Sequence, residues 1–214
     1  MSISTVAPNV TIIRHPVVQE QLTRARAAET PTPEFRRLIG QIARLMAFEL
    51  LRDYPTEPVE VTTPMGPHTG TRLARGLTLV PVLRAGLGML EGILELYPAA
   101  RVGCMGIYRD EAALRPVVYY KKLPPDIAET EGIVIDPMLA TAGSLIEAIG
   151  SVKAEGAAGI RVLCLVAAPE GVAALRAAHG DVPVFTAAVD DRLDERGYIV
   201  PGLGDAGDRL FGTA

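Results

Sequence analysis

Four segments of this chain combine residue types that can hold an anion, a sugar or a flat polar ring, and three of them directly follow a short apolar run. The first is Asp136-Pro137-Met138-Leu139-Ala140-Thr141-Ala142-Gly143-Ser144, after the run 132–135 and before a helical stretch. Small residues at a helix start expose backbone N–H groups to the positive end of the helix dipole. Thr141 and Ser144 add hydroxyl donors, so the segment is suited to cradle a phosphate. Asp136, at the strand end, can accept hydrogen bonds from sugar hydroxyls. The same residues would also make an N-capped turn with Ser144 as the cap. The segment is neither a Walker loop nor a dinucleotide fingerprint. At the entry to a helix, Ala142 is expected at negative φ, where alanine fits and stiffens the loop.

The second segment, Pro81-Val82-Leu83-Arg84-Ala85-Gly86-Leu87-Gly88, sets a guanidinium beside glycines at a strand end. It can face an anion, or Arg84 can sit in a surface ion pair. The third begins Tyr108-Arg109-Asp110-Glu111 and runs on to Tyr119-Tyr120-Lys121-Lys122. It reads either as a solvated hairpin or as a flap that closes over a charged group. The fourth runs Gly197-Tyr198-Ile199-Val200-Pro201-Gly202-Leu203-Gly204-Asp205-Ala206-Gly207-Asp208-Arg209. Its glycines can bring bare backbone against a flat ligand, or the segment is a flexible tail. His15, His68 and His179 are scattered, and no metal-ligand spacing or nucleophile elbow appears.

Such loops need a scaffold that brings them to one place. Apolar runs at 77–83, 102–108, 132–135, 160–167 and 184–189 alternate with helical stretches at 89–96, 145–154 and 172–179. Val, Ile and Leu fill the runs without alternation, as in strands covered on both faces. This rhythm predicts an α/β fold with a largely parallel sheet, whose ligands sit at the carboxyl ends of the strands. Upstream, 33–52 reads as an amphipathic helix with Phe35, Leu38, Ile39, Ile42, Leu45 and Met46 on one face. Thr32 is its expected N-cap, Pro33 suits its first position and Pro55 closes the segment.

A chain of 214 residues, 49% hydrophobic, suits one domain with a sizeable core. The formal net charge of -4 gives no basic field for nucleic acid. No run approaches the length of a membrane span, and the N-terminus lacks the pattern of a signal peptide. Cys104 and Cys164 both fall in apolar runs and are expected as buried strand residues of a reduced, cytoplasmic protein.

Together the four segments resemble the type I phosphoribosyltransferases, and their wording is similar to the uracil branch of that family. VPVLRAGLGM resembles its pyrophosphate loop, and IVIDPMLATAGS its phosphoribosyl-diphosphate (PRPP) motif, with Pro137 in place of a second acid. AAPEG at 167–171 and GYIVPGLGDAGDRLFGT at 197–213 resemble its C-terminal signature, and the likeness runs from Ile12 to Thr213. The resemblance implies a type I phosphoribosyltransferase-like α/β fold, with a mostly parallel sheet flanked by helices, a small hood and a flexible flap. It implies one domain over 1–214, with 1–55 as a helical arm and 190–214 as a uracil-binding hood loop.

The implied activity is transfer of phosphoribose from PRPP to uracil, giving UMP. The implied PRPP ligands are Arg84, Arg109, Asp136, Pro137, Met138, Leu139, Ala140, Thr141, Ala142, Gly143, Ser144 and Asp205. Ile199, Gly204, Asp205 and Ala206 would meet uracil, largely through the backbone. Arg84, Arg109 and Asp205 are the candidates for catalysis, Asp205 by location alone. Mg²⁺ would ride mainly on PRPP with no dedicated protein ligand. The family also implies a homodimer or homotetramer and activation by GTP. The chain departs from the family pattern twice. Ala142-Gly143-Ser144 stands for the usual Gly-Gly-Ser, touching the phosphate loop, and Phe48-Glu49-Leu50 stands for Tyr-Glu-Ala, a packing change.

Overall fold

The computed structural model describes residues 3–109 and 116–213. Strands β1 (Ile3–Ala7) and β2 (Val10–Ile13) open the chain, followed by helices α1 (Pro16–Arg26) and α2 (Thr32–Leu50). A hairpin of β3 (Thr56–Thr63) and β4 (Gly66–Leu73) leads to β5 (Gly76–Leu83), α3 (Leu87–Leu96), β6 (Arg101–Val102) and β7 (Cys104–Arg109). Then come β8 (Pro116–Lys122), β9 (Thr130–Ile135), β10 (Met138–Leu139), α4 (Gly143–Ala154), β11 (Gly159–Ala167), α5 (Pro169–His179) and β12 (Val184–Val189). Two short strands, β13 (Arg192–Leu193) and β14 (Ile199–Val200), and helix α6 (Ala206–Phe211) complete the described chain.

The central sheet runs β1-β2-β12-β11-β9-β5-β7-β8, with β10 beside β11 and β6 beside β5. Every pair from β2 across to β7 is parallel, and only the edge pairs β1–β2 and β7–β8 are antiparallel. The continuous apolar runs are explained by burial on both faces. In β9, Ile133 and Ile135 point into the core beneath α1, α2 and α3, while Val134 points into the core beneath α4 and α5. In β11, Leu163 and Leu165 share the first face, Val162 and Cys164 the second. The α/β architecture predicted from the rhythm of the runs is therefore the one observed.

The helix expected at 33–52 is α2, and Phe35, Leu38, Ile39, Ile42 and Met46 are its buried face, with Leu45 half-buried. It starts one residue early. Pro31 flanks it in an extended conformation and no side chain caps it, so Thr32 is inside the helix. Phe48 is exposed while Leu50 is buried, so only the second of these departures from the family pattern is a packing change. Cys164 is buried as expected and burial pushes its thiol up to about 12. Cys104 is only half-buried, because β7 is next to the edge of the sheet. The first 55 residues supply β1 and β2 as well as helices, and β2 extends the parallel sheet beyond β12. The β3–β4 hairpin pairs only with itself.

The C-terminal segment is held in place by three arginines. Arg26 at the end of α1 makes a two-pronged pair with Asp190, at 2.7 and 2.6 Å, and its Nη1 also donates to the Gly202 carbonyl at 2.7 Å. The Gly202 N–H donates back to Asp190 at 2.9 Å, closing the ring. Arg209 donates to the carbonyls of Ala25, Ala27 and Leu203 and lies 4.1 Å over the Phe35 ring. Arg36 of α2 holds the Leu210 carbonyl with two donors. The segment is thus a fixed hood, not a loose tail.

Asp190 is 9% exposed, so removing its cation leaves a carboxylate with little water to solvate it. Breaking one side of such a pair costs about 3–5 kcal/mol. Arg26→Ala is expected to lower the urea midpoint accordingly and to speed amide exchange in 199–213 more than in β9 and β11. Equal exchange rates in the two regions would mean that the pair does not anchor the hood.

Candidate active site at the carboxyl edge of the sheet

Because β5, β7, β9, β11 and β12 run parallel, their carboxyl ends fall on one edge, and three of the four segments singled out above leave from it. Arg84 follows β5, Arg109 ends β7, Asp136 follows β9, and Asp190 follows β12. β5 and β9 are neighbours, with Pro81 opposite Ile135, so the Arg84 and Asp136 loops lie side by side. They touch at Gly86. A Cβ there would stand 2.5 Å from the Ile135 carbonyl oxygen, so only glycine allows the approach. The Leu83–Arg84 peptide is cis.

The 136–144 loop is tied down by β11. Leu165 and Val166 donate to the Pro137 carbonyl at 2.9 and 3.1 Å, and Ala168 donates to Leu139 at 2.9 Å. The AAPEG segment backs the loop from behind. A Cβ on Gly171 would fall 2.1 Å from the Ala140 carbonyl oxygen, so any side chain there would push the loop outward. Glu170 then reaches to the hood, where its Oε1 accepts the Leu193 N–H at 3.0 Å. The first N–H groups of α4 have no partner within the helix and form the open end of the cradle. Pro116, at the start of β8, stands beside Gly143. Arg109 is opposite Pro116 in the hairpin register, so the end of β7 arrives at the same place. Residues 110–115 of the expected flap lie outside the described residues, as does the side chain of Arg109.

Ala142 corrects the sequence expectation. Its φ is 70° and ψ -7°, the left-handed region, and it occupies the N-cap position of α4. Ser144 is therefore not the cap. The chain has to turn sharply from β10 into α4, and that turn needs positive φ, the conformation glycine adopts freely. The methyl is 5% exposed and joins the core cluster of Leu139, Leu145 and Val172. Burial offsets part of the backbone strain.

Asp136 is half-buried as a residue, but its carboxyl is deep enough that burial pushes its pKa up to about 7, against a smaller downward pull from the Met138 N–H at 3.2 Å. Its ordinary value is 3.8. The site therefore holds a carboxylate that ionises near neutrality, and a hydroxyl donor placed against it would favour the ionised form.

The hood closes the arrangement. Asp205 caps α6 by accepting the Asp208 N–H at 2.9 Å. Arg84 reaches across from its own loop and donates to Asp208 at 3.1 Å, with Phe211 5.7 Å from the guanidinium. Ile199 is buried in the main core, Ala206 is buried, and Gly204 is exposed with φ of 70°. The structure thus joins the segments at 84–88, 136–144 and 197–209. The anchors Arg26, Arg36 and Asp190 were not singled out from sequence. No local signal marks them, since the partners are 164 residues apart for Arg26–Asp190 and 174 for Arg36–Leu210.

A parallel sheet with a phosphate-type loop after one strand and a hood over its carboxyl edge defines the phosphoribosyltransferase class of fold. Adenine phosphoribosyltransferase from Trypanosoma brucei superposes with a TM-score of 0.60 over 91% of this chain and 90% of that one, at 14% identity. The AQ2163 protein from Aquifex aeolicus superposes with a TM-score of 0.92, at 34% identity, over 96% of this chain and 99% of that one. The family model described as uracil phosphoribosyltransferase matches residues 12–213, and the chain belongs to that family. Uracil phosphoribosyltransferases from Halalkalibacterium halodurans and Streptococcus pneumoniae are 57% and 55% identical over 95% of this chain and 98% of theirs.

Two outcomes test the geometry. Ala142→Gly removes about 1–2 kcal/mol of left-handed strain but gives up about 0.8 kcal/mol of methyl burial and frees the unfolded chain by about 0.4–1 kcal/mol. These terms nearly cancel, so the melting temperature is expected to move by no more than a few degrees; a loss of ten degrees would show that the methyl, not the turn, holds the loop. Asp136 gives a pH signature. Between pH 4 and 7 the folded state keeps a proton that the unfolded state has released, so stability falls as pH rises through this window and levels off above 7. Urea unfolding of Asp136→Asn across the same range is expected to lack this decline, and an unaltered decline would place its origin elsewhere.

Proposed function

We propose that the protein transfers the phosphoribosyl group of PRPP to uracil, giving UMP and diphosphate, a pentosyl transfer of pyrimidine salvage. Family membership supports the reaction. The observation that carries it for this chain is that the Arg84 loop touches both the end of β9, where the 136–144 cradle begins, and the hood helix α6. A phosphorylated sugar and a base held by those two segments would meet beside Arg84.

In this reading Ala140 to Ser144 receive the 5′-phosphate on backbone N–H groups and the hydroxyls of Thr141 and Ser144. Asp136 accepts the ribose hydroxyls, whose donors favour its ionised form. Arg84 and Arg109 take the diphosphate, Asp205 faces PRPP, and the backbone of Ile199, Gly204 and Ala206 reads uracil. Cleavage at the anomeric carbon puts positive charge on the sugar and negative charge on the leaving diphosphate. The two guanidiniums stabilise that anion as it grows. Closure of the β7–β8 flap excludes water, which would otherwise hydrolyse PRPP.

The donor set fits Mg²⁺ bound through substrate. The Asp136 carboxyl would supply one hard oxygen near the proposed sugar site. Mg²⁺ prefers such sites, one or two carboxylates plus phosphate oxygens and water. When bound it would neutralise charge on the diphosphate. Among the described residues no helix is long and apolar enough to cross a membrane. A cytoplasmic location, a homodimer or homotetramer, and activation by GTP complete the proposal.

The test is incubation with PRPP, Mg²⁺ and each nucleobase in turn, with the nucleotide product measured. Uracil presents N3–H as a donor and O4 as an acceptor, and cytosine reverses both. Backbone groups fixed in the hood cannot turn to adapt, so cytosine is expected to be disfavoured by roughly 10⁴-fold. UMP formation with cytosine turned over at a comparable rate would refute the backbone reading. No nucleotide from any base would refute the activity.

A further inference from the structure

Arg84, assigned above to the diphosphate, already has an anionic partner. Its Nη2 donates to Asp208 Oδ1 at 3.1 Å, and its side chain is 56% exposed against 35% for Asp208. Nothing in the reaction requires that carboxylate, which lies on the hood and not on the Arg84 loop. Asp208 is also fixed. Its Oδ1 accepts the Thr213 hydroxyl at 2.5 Å, and its carbonyl accepts the N–H groups of Gly212 and Thr213 at 2.7 and 3.2 Å. Two residues on, Arg36 clamps the Leu210 carbonyl to α2. A guanidinium on a flexible stem can move, whereas this carboxylate cannot follow it.

We propose that Asp208 is a positioning residue that holds Arg84 in the unliganded enzyme and surrenders it to the diphosphate. Each binding of PRPP, and each release of diphosphate, then exchanges one anion for another on the same guanidinium. The exchange weakens the grip on diphosphate and favours its departure. It also means that an empty diphosphate site leaves Arg84 bonded to the first turn of the helix that follows the uracil segment. The contact links the two substrate regions through one ion pair. The inference rests on the assignment of Arg84 to the diphosphate.

The pair is solvent-exposed, and such pairs change an equilibrium by about 1.5- to 5-fold. The experiment measures the dissociation constant of inorganic diphosphate with Mg²⁺ by calorimetry on the full chain, for wild type, Asp208→Asn, Asp208→Glu, Arg84→Ala and the double variant Asp208→Asn/Arg84→Ala. Thermal melts establish that each is folded. Asp208→Asn is expected to bind diphosphate about 1.5- to 5-fold more tightly at low salt, Asp208→Glu to stay near wild type, and Arg84→Ala to bind more weakly. In the Arg84→Ala background Asp208→Asn is expected to change nothing. Tightening that persists without Arg84 would be plain charge repulsion and would overturn the proposal, as would an Asp208→Asn variant that binds no more tightly than wild type. Tightening shared by Asp208→Glu would assign the effect to hood packing and also overturn it. Arg84→Ala with unchanged diphosphate binding would instead remove the assignment on which the inference stands, while uracil turnover by the wild type would still uphold the proposed reaction.

Discussion

The ion pair between Arg26 and Asp190 is the interaction on which the site depends. A parallel α/β sheet makes half of a site without help, because its strand ends and helix starts already gather on one edge. The cradle at 136–144 is of that kind, since β9, β11 and α4 impose it. The hood is different. Its two short strands and six-residue helix lay Ile199, Leu203 and Leu210 into the main core, and charged side chains from α1 and α2 grip their backbone. Arg26 satisfies Asp190 and Gly202 at once, and Arg209 turns back on the carbonyls at the end of α1. A guanidinium suits this work because its donors are rigid and stay charged when buried.

The 136–144 loop shows the opposite, with contacts so close that there is no room to vary. Gly86 and Gly171 allow backbone to meet backbone where any side chain would intrude. Ala142 adopts the left-handed turn despite its methyl, and the methyl is accommodated in the core instead of toward the open side of the loop. The buried carboxyl of Asp136 belongs to the same close-packed region. Its raised pKa is a cost to the empty fold and makes it responsive to donors that arrive with a ligand.

Much of this was legible in the sequence. Continuous Val/Ile/Leu runs between helical stretches gave the sheet its parallel character, and the placement of Arg84, Asp136 and the 197–209 string after such runs put them on one edge. The α2 face was readable to within a residue or two from its period. What failed was local or distant. Ala142 was expected at negative φ because it adjoins a helix, but the N-cap position lies outside the helical φ/ψ region, and the tight β10–α4 turn decides its sign. The strands β1 and β2 lack a long apolar run and form because β12 offers an edge. The arginine anchors were invisible because their partners are carbonyls and a carboxylate far along the chain, and nothing in the spacing of Arg26 points to Gly202.

The length of those connections has a consequence for how the molecule is made. Arg209 closes on Ala25 across 184 residues, and Arg26 closes on Gly202 across 176. During synthesis, chain emerges from the amino end and domains fold as their parts become available. The core of β9, β11, α2 and α4 and the 136–144 loop can consolidate before residues 190–209 have emerged. Until residues 190–209 emerge, Arg26 lacks its Asp190 carboxylate and the carboxyl edge has no cover. A nascent chain therefore passes through a stage with the 136–144 loop shaped and the hood absent, and the two are joined only once residues 190–209 emerge.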